Sequence, residues 1–410
     1  MTKSEMITRC RKDFPALKRT FQGQPLAYLD GPAGTQVPRM VIDAVADYYQ
    51  RANANTHGEF ITSQETDNLL EQCRTNLAAF LGAPSSREIS FGANMTTLTF
   101  SVANAFARQL KAGDEILVTQ LDHEANRGPW LALREYGVKV QEITITHEGK
   151  LNYQDFEEKI SERTRLVALG YASNALGTVN DIARARQLTG RFGALLYVDA
   201  VHYAPHFPIN VQKDGMDFLV CSAYKFYGPH VGILYCRDGL MDRLPTDRLR
   251  TQDPNAPYRI ETGTLNHASI AGVSATIEYI AKFGSGNHLQ HRLETALLNI
   301  SQYEHELALY LYHQLTGIKG ITIRGPSFDE PLRTPTISFT LDGYTANDIC
   351  RYLAQAGICA WDGHFYAIRP IEVLELLEKG GVTRIGISMY NTHEEIDRLL
   401  NRLDMLSSRK

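Results

Sequence analysis

Short apolar runs alternate with helix-length amphipathic segments through the middle of this chain, and that alternation limits the folds open to it. The runs are EILVTQ from Glu115, KVQEITI from Lys139, RLVALGY from Arg165, ALLYVDAV from Ala194, FLVCSAY from Phe218 and GILYCR from Gly232. Gly, Pro, Asn and Asp bound them, and several are too apolar to keep a face in water, as expected of parallel strands covered by helices on both sides. Helical patterns lie between, such as LNYQDFEEKISE from Leu151 and DIARARQLTGRFG from Asp181. The βαβα order predicts a doubly wound α/β sheet, whose ligands sit at the carboxyl ends of the strands.

The last third reads differently. A helical pattern from Asn287 to Thr316 precedes strand-like ITIRG, TPTISFTL, GICAWDG and TRIGISMY, which predicts a smaller α+β domain starting near residue 280. Gly284-Ser-Gly286 resembles part of a nucleotide loop, but no strand precedes it and the fingerprint is incomplete, so it reads as a hinge.

Composition narrows the function classes. Lys plus Arg total 42 against 46 for Asp plus Glu, and the charges are interspersed, which argues against nucleic-acid or anionic-membrane partners. No run reaches the 18 or so apolar residues of a membrane helix, and MTKSEMITRCRKDFPAL lacks the apolar stretch of a secretory signal. The six cysteines, at 10, 73, 221, 236, 350 and 359, form no CxxC pair. They read as reduced, mostly buried thiols of a cytoplasmic protein rather than a disulfide framework or a zinc site.

The chemistry concentrates around Asp199 and Lys225, each ending an apolar run and 26 residues apart. A carboxylate and a lysine at neighbouring strand ends suit a pyridoxal phosphate site, with the lysine as Schiff base and the aspartate on the pyridinium nitrogen. A structural ion pair has the same spacing. Ser222 and Tyr224 flank the lysine with hydroxyls, while Thr96 and Thr97 open an apolar helix where a phosphate, or a plain threonine N-cap, would fit. His123 follows EILVTQ and suits either an aromatic cofactor's face or a solvated loop. A metal at His202, His206 and Asp199 is disfavoured, because Pro205 interrupts the helix that such a pair requires.

Taken together, DHEAN, SNALGT, VDAVH, SAYKFYGPHVGILY, ETGTLN and RIGISMYNT resemble the class V aminotransferase group of fold-type-I pyridoxal phosphate enzymes, and within it the cysteine desulfurase and selenocysteine lyase branch. The likeness runs from Phe14-Pro-Ala-Leu to Met389-Tyr-Asn-Thr-His. It implies a large cofactor domain over 31–280 with a mainly parallel seven-stranded sheet, a small α+β domain over 281–410, and an N-terminal segment, 1–30, packed on the latter. It also implies the site. Lys225 would carry the cofactor, Asp199 pair with its ring nitrogen and His123 stack on the ring and move protons. Asn174 would lie near the phenolic oxygen, His202 would stand among the cofactor contacts where relatives usually carry Gln, and Thr96, Ser222 and Tyr224 would hold the phosphate, Tyr224 in place of the usual His. Thr264 would reach the phosphate of the other subunit of a homodimer. Arg384 would clamp the substrate carboxylate, with Ala33 and His57 also toward substrate.

Two departures matter. Desulfurases of that branch carry a cysteine in an Arg-x-Gly-His-His-Cys segment, whereas this chain has Trp361-Asp-Gly-His-Phe-Tyr-Ala367, with Tyr366 at the cysteine's place and Cys359 seven residues earlier on a predicted buried strand. The loop Asn53-Ala-Asn-Thr-His-Gly58 also lacks the branch's Arg-Gly-x-His pattern. The expected activity is therefore C–S cleavage of a small amino acid by β-elimination, needing no enzyme thiol, with transamination as the alternative. A catalytically silent cofactor-binding protein is a third reading, disfavoured by the joint presence of Lys225, Asp199, His123 and Arg384. No sulfur-accepting partner is legible.

Overall fold

The computed structural model describes residues 10–329 and 332–409. The six predicted runs form strands β2 (Glu115–Thr119), β3 (Lys139–Ile143), β4 (Thr164–Gly170), β5 (Leu195–Asp199), β6 (Phe218–Ser222) and β7 (Gly232–Cys236), and Ile89–Gly92 adds β1. They make one seven-stranded sheet in the order β1-β7-β6-β5-β4-β2-β3. It is parallel except at β7, which runs antiparallel to both neighbours.

Alternate residues of these strands feed two separate cores, which is why the runs are continuously apolar. Leu196, Val198, Leu219 and Cys221 belong to one buried cluster, and Tyr197, Phe218 and Val220 to the other. Period-two side chains thus leave neither face to solvent.

The longer helices are α1 (Arg39–Arg51), α2 (Ile61–Leu81), α3 (Met95–Ala107), α4 (Ile182–Phe192), α5 (His267–Ala281), α6 (Leu289–Gly317), α7 (Ala346–Ala354) and α8 (His393–Ser407). Their starts are marked by capping side chains, among them Asn94, Asp181, Asn266 and Thr392. The cap of α3 is Asn94, whose Oδ1 accepts the Thr97 N–H at 2.9 Å, and not a threonine, so Thr96 lies inside the first turn with its hydroxyl uncommitted to capping.

A second sheet, antiparallel and ordered β8-β9-β11-β10, comprises β8 (Ile321–Arg324), β9 (Thr336–Leu341), β10 (Trp361–Gly363) and β11 (Val382–Gly386). Ala27–Tyr28 pairs in parallel with Ile358–Cys359. Phe14 and Leu29 share a cluster with Ile385 and Leu399 as well as with strands of the large sheet, so the core is continuous across the chain.

Two expectations change. Cys359 stands on a two-residue strand paired only with Ala27–Tyr28, and is half-buried rather than buried. Gly284-Ser-Gly286 follows a helix, and a Cβ on Gly284 would stand 1.9 Å from the Arg292 carbonyl oxygen, so this is a closely packed corner between α5 and α6. Among the described residues no helix is long and apolar enough to cross a membrane.

Candidate active site

The carboxyl ends of β2, β4, β5 and β6 and the amino end of α3 surround a cleft of about 530 Å³. Thr96, His123, Asn174, Asp199, His202, Ser222, Tyr224 and Lys225 all line it. At its floor Lys225 ends a single 3-10 turn after β6, and its Nζ donates to the carbonyls of Pro32 and, at 3.0 Å, Ala33. Burial and then the charge of Arg384 push its amine down to about 7, against the pull of Asp199 and Asp30. The lysine is therefore far more easily neutralised than an ordinary lysine.

Asp199 ends β5 with Oδ1 accepting the Val201 N–H at 2.9 Å, and Oδ2 has no partner among the described residues. Burial raises its carboxyl to about 6, a rise that this N–H and Lys225 restrain. A second buried acid, Asp122, joins it in the lining. Burial pushes Asp122 to about 7, and Asp199 adds to the rise. Its Oδ1 accepts the N–H of Gly170, the residue paired with Asp199 across β4 and β5.

The first turn of α3 is arranged as an anion cradle. Ser222 Oγ takes the Met95 N–H at 3.0 Å and Asn94 takes that of Thr97, which leaves the Thr96 N–H without a partner among the described residues. Ser222, accepting at its oxygen, keeps its own O–H to donate. The approach is tight because β7 starts against the turn: a Cβ on Gly232 would stand 2.4 Å from the Asn94 carbonyl carbon. Tyr224 stacks on His230 with centroids 4.6 Å apart and rings 8° from parallel, and Lys225 Nζ stands 4.9 Å from its ring centre.

His123 Nδ1 accepts the Ala125 N–H at 3.0 Å, so the neutral ring carries its proton on Nε2. Burial, then Lys225 and Arg384, hold its pKa down to about 4. His202 Nε2 lies 3.0 Å from Thr336 Oγ1 and 3.2 Å from Thr334 Oγ1. Arg384 stands behind the lining: its Nη1 donates to the Asn174 carbonyl at 2.9 Å, and its guanidinium carbon lies 4.0 Å from the Phe365 ring centre.

His57 and Thr264 are not brought to this cleft. They share a separate cavity with Arg74, Tyr258 and Glu261, where His57 Nδ1 stands 3.3 Å from Asp67 Oδ1 and Thr264 is exposed. Sequence reasoning also missed three residues: Asp122, inside the DHEAN motif; His230, inside SAYKFYGPHVGILY; and Phe365, next to the aligned Tyr366. No sequence signal marks the stacking of the last two.

The model of the aminotransferase class-V family matches residues 27–399. The chain belongs to the class V aminotransferase family. A cysteine desulfurase of Yersinia pseudotuberculosis is 35% identical over 416 residues, covering 98% of each chain. Among solved structures, an apo cysteine desulfurase from Thermococcus onnurineus NA1 superposes with a TM-score of 0.89 at 28% identity, covering 100% of this chain and 99% of that one. A cysteine desulfurase from Escherichia coli does so at 0.85 and 26%, covering 99% and 98%. As a class V aminotransferase this chain is a pyridoxal phosphate-dependent enzyme of fold type I, and its cleft fits that cofactor. The fit lies in a neutralisable lysine, a buried carboxylate with a free oxygen, and a helix start with one unspent N–H beside two hydroxyls.

Proposed function

We propose that this enzyme cleaves the C–S bond of a small sulfur-bearing amino acid by β-elimination, giving pyruvate, ammonia and a released sulfur species. The observation that carries the reading is the absence of a competent thiol at a cleft that otherwise resembles a desulfurase's. Tyr366 replaces the loop cysteine, and burial pushes the Cys359 thiol up to about 11. The other five cysteines are all buried. A thiolate is the nucleophile in sulfur transfer, so thiols held protonated cannot take the sulfur.

Bound pyridoxal phosphate would supply an electron sink for charge developing at the substrate Cα. Lys225, Asp199, Thr96, Ser222 and Tyr224 would hold it, with His123 and Asn174 against its ring and His202 nearby. Arg384, now behind the lining, would turn a guanidinium edge to the substrate carboxylate, a pairing that suits its fork of donors. The Lys225 amine, which burial makes easier to neutralise, can accept the Cα proton. The C–S bond then breaks with its electron pair leaving on sulfur. The neutral His123 ring keeps its single proton and can offer Nε2–H as a hydrogen bond to the departing thiolate, because Nδ1 is engaged by Ala125; the proton that Lys225 has taken from Cα is the one available to neutralise the sulfur.

The same reading makes the enzyme a cytoplasmic homodimer. Thr264, exposed and outside this chain's own cleft, would reach the phosphate site of a second copy. His57 would approach substrate in the same way. The chain divides into the segment 1–30, a cofactor domain 31–280 and a small domain 281–410, a division supported by the pairing of Ala27–Tyr28 with Ile358–Cys359.

The experiment is a product assay on the yellow holoenzyme with cysteine, cystine and cysteine sulfinate, quantifying pyruvate and alanine separately. Pyruvate, lost in Lys225→Ala and retained in Cys359→Ser, supports elimination. Alanine with released sulfur overturns it in favour of desulfuration. A requirement for a 2-oxo acid would establish transamination instead.

A further inference from the structure

Residues 364–367 join β10 to the helix Ile368–Val373 and touch two residues of the cleft lining, His123 and Asn174. Within them Phe365 and Tyr366 both hold left-handed backbone, with φ of 53° and 59°, a conformation that bulky side chains avoid. Their restraint comes largely from the opposite wall. The Glu124 N–H donates to the Tyr366 carbonyl at 2.7 Å, and Asn174 Nδ2 donates to the Phe365 carbonyl at 3.0 Å. Inside the loop, the Ala367 N–H reaches the His364 carbonyl at 2.7 Å, and the Tyr366 N–H reaches His364 Nδ1 at 3.2 Å.

Two consecutive unfavourable residues, tied to the neighbour of His123 and to a lining residue, place two rings. Phe365 lies against the Arg384 guanidinium. Tyr366 stands beside His123, centroids 5.8 Å apart and 37° between planes, yet is 72% exposed. Core packing does not account for an exposed phenol held by a backbone bent twice against its preference.

We propose that Phe365 and Tyr366 form the specificity wall of the cleft. Stacking by Phe365 fixes the plane of Arg384 so that its edge meets the substrate carboxylate, which makes Phe365 a positioning residue. Tyr366 bounds the space beside His123 that receives the group on Cβ, admitting compact thioethers or thiols and turning away bulky ones. A polarizable sulfur against an aromatic ring is a favourable contact, which matches the substrate class. This assignment rests on the reading above for where the carboxylate and Cβ lie.

The test is initial binding to the holoenzyme, read as the amplitude of the first change in cofactor absorbance after stopped-flow mixing with S-methyl-L-cysteine and S-benzyl-L-cysteine, before product accumulates. Wild type should favour the methyl compound. Tyr366→Ala should move the ratio of half-saturating concentrations toward the benzyl compound by about ten-fold or more, while Tyr366→Phe keeps the wild-type ratio. Phe365→Leu should weaken both ligands together and leave the ratio alone. A ratio that moves less than two-fold in Tyr366→Ala, a Tyr366→Phe that behaves like the alanine variant, or a Phe365→Leu that leaves both affinities intact overturns the wall. Binding is read separately from cleavage of the C–S bond. A shifted ratio without pyruvate would sink elimination and leave the wall standing; pyruvate with an unmoved ratio would do the reverse.

Discussion

Asp122 Oδ1 lies 2.7 Å from the Gly170 nitrogen and fills the volume that a Cβ on residue 170 would need. Gly170 faces Asp199 across the β4–β5 ladder, so one missing side chain lets two buried carboxyl groups share the floor of the cleft. Gly170→Ala should therefore destabilise the protein by about 1–3 kcal/mol. The penalty should shrink in an Asp122→Ala background, because the two sites are in contact and their effects are not additive. Thermal unfolding of the four proteins in that cycle measures it, and a fully additive cycle would refute the contact's role.

Lys225 gives a pH prediction with a definite sign. Its amine must be neutral to attack a carbonyl, so cofactor uptake by the apoprotein should rise through about pH 7. Arg384→Met removes a depressing charge and should move the inflection up; Asp199→Asn removes a supporting one and should move it down. Stability carries the same sign. The unfolded chain holds this proton up to an ordinary lysine pKa of about 10.4, so folding gains stability as pH rises from about 7 to about 10. Lys225→Met apoprotein should be more stable than wild type at pH 7, with the gap closing by pH 10. Uptake rates by stopped-flow absorbance and apoprotein melting curves check both.

Arg74 and Glu261 form a buried bidentate pair at 2.7 and 2.7 Å that also fixes β1. Arg74 Nη1 donates to the Ile89 carbonyl at 2.6 Å, and Glu261 Oε1 accepts the Phe91 N–H at 2.6 Å. Removing one partner strands the other charge, so Arg74→Met should cost about 3–5 kcal/mol. Because β1 leads into the α3 cradle, the same variant should also bind cofactor more weakly. Chemical denaturation and cofactor titration read the two effects.

His202 is held neutral, its pKa well below the ordinary histidine value because of burial and the nearby His206. It should show no titration between pH 5 and 8 by NMR. Glutamine at this position can still hydrogen-bond Thr334 and Thr336, so His202→Gln should keep cofactor affinity within a few-fold. His202→Leu leaves two buried hydroxyls without that partner and should cost about 1–3 kcal/mol in stability.

The sheet was legible because each strand is apolar at every position, and the site because Asp199 and Lys225 interrupt that pattern at strand ends. Asp122 was hidden for a physical reason: its environment depends on a glycine 48 residues away that makes room for it. His230 and Phe365 act through ring contacts with Tyr224 and Arg384, and such contacts leave no periodicity to detect. Cys359 looked buried because its neighbours are apolar, yet its strand is two residues long and has one partner. The resemblance named the cleft; the left-handed turn at Phe365 and Tyr366 emerged only with the backbone.

The segment before β1 closes the small sheet's neighbourhood from the far end of the chain. Cys10 and Met389 meet 379 residues apart, and Arg11 reaches Glu395 across 384. A ribosome must therefore have delivered Met389 and Glu395 before these contacts can form. Asp13 and Phe14 can meet Tyr279 earlier, but loop closure over the longer span makes the Cys10 and Arg11 contacts late events.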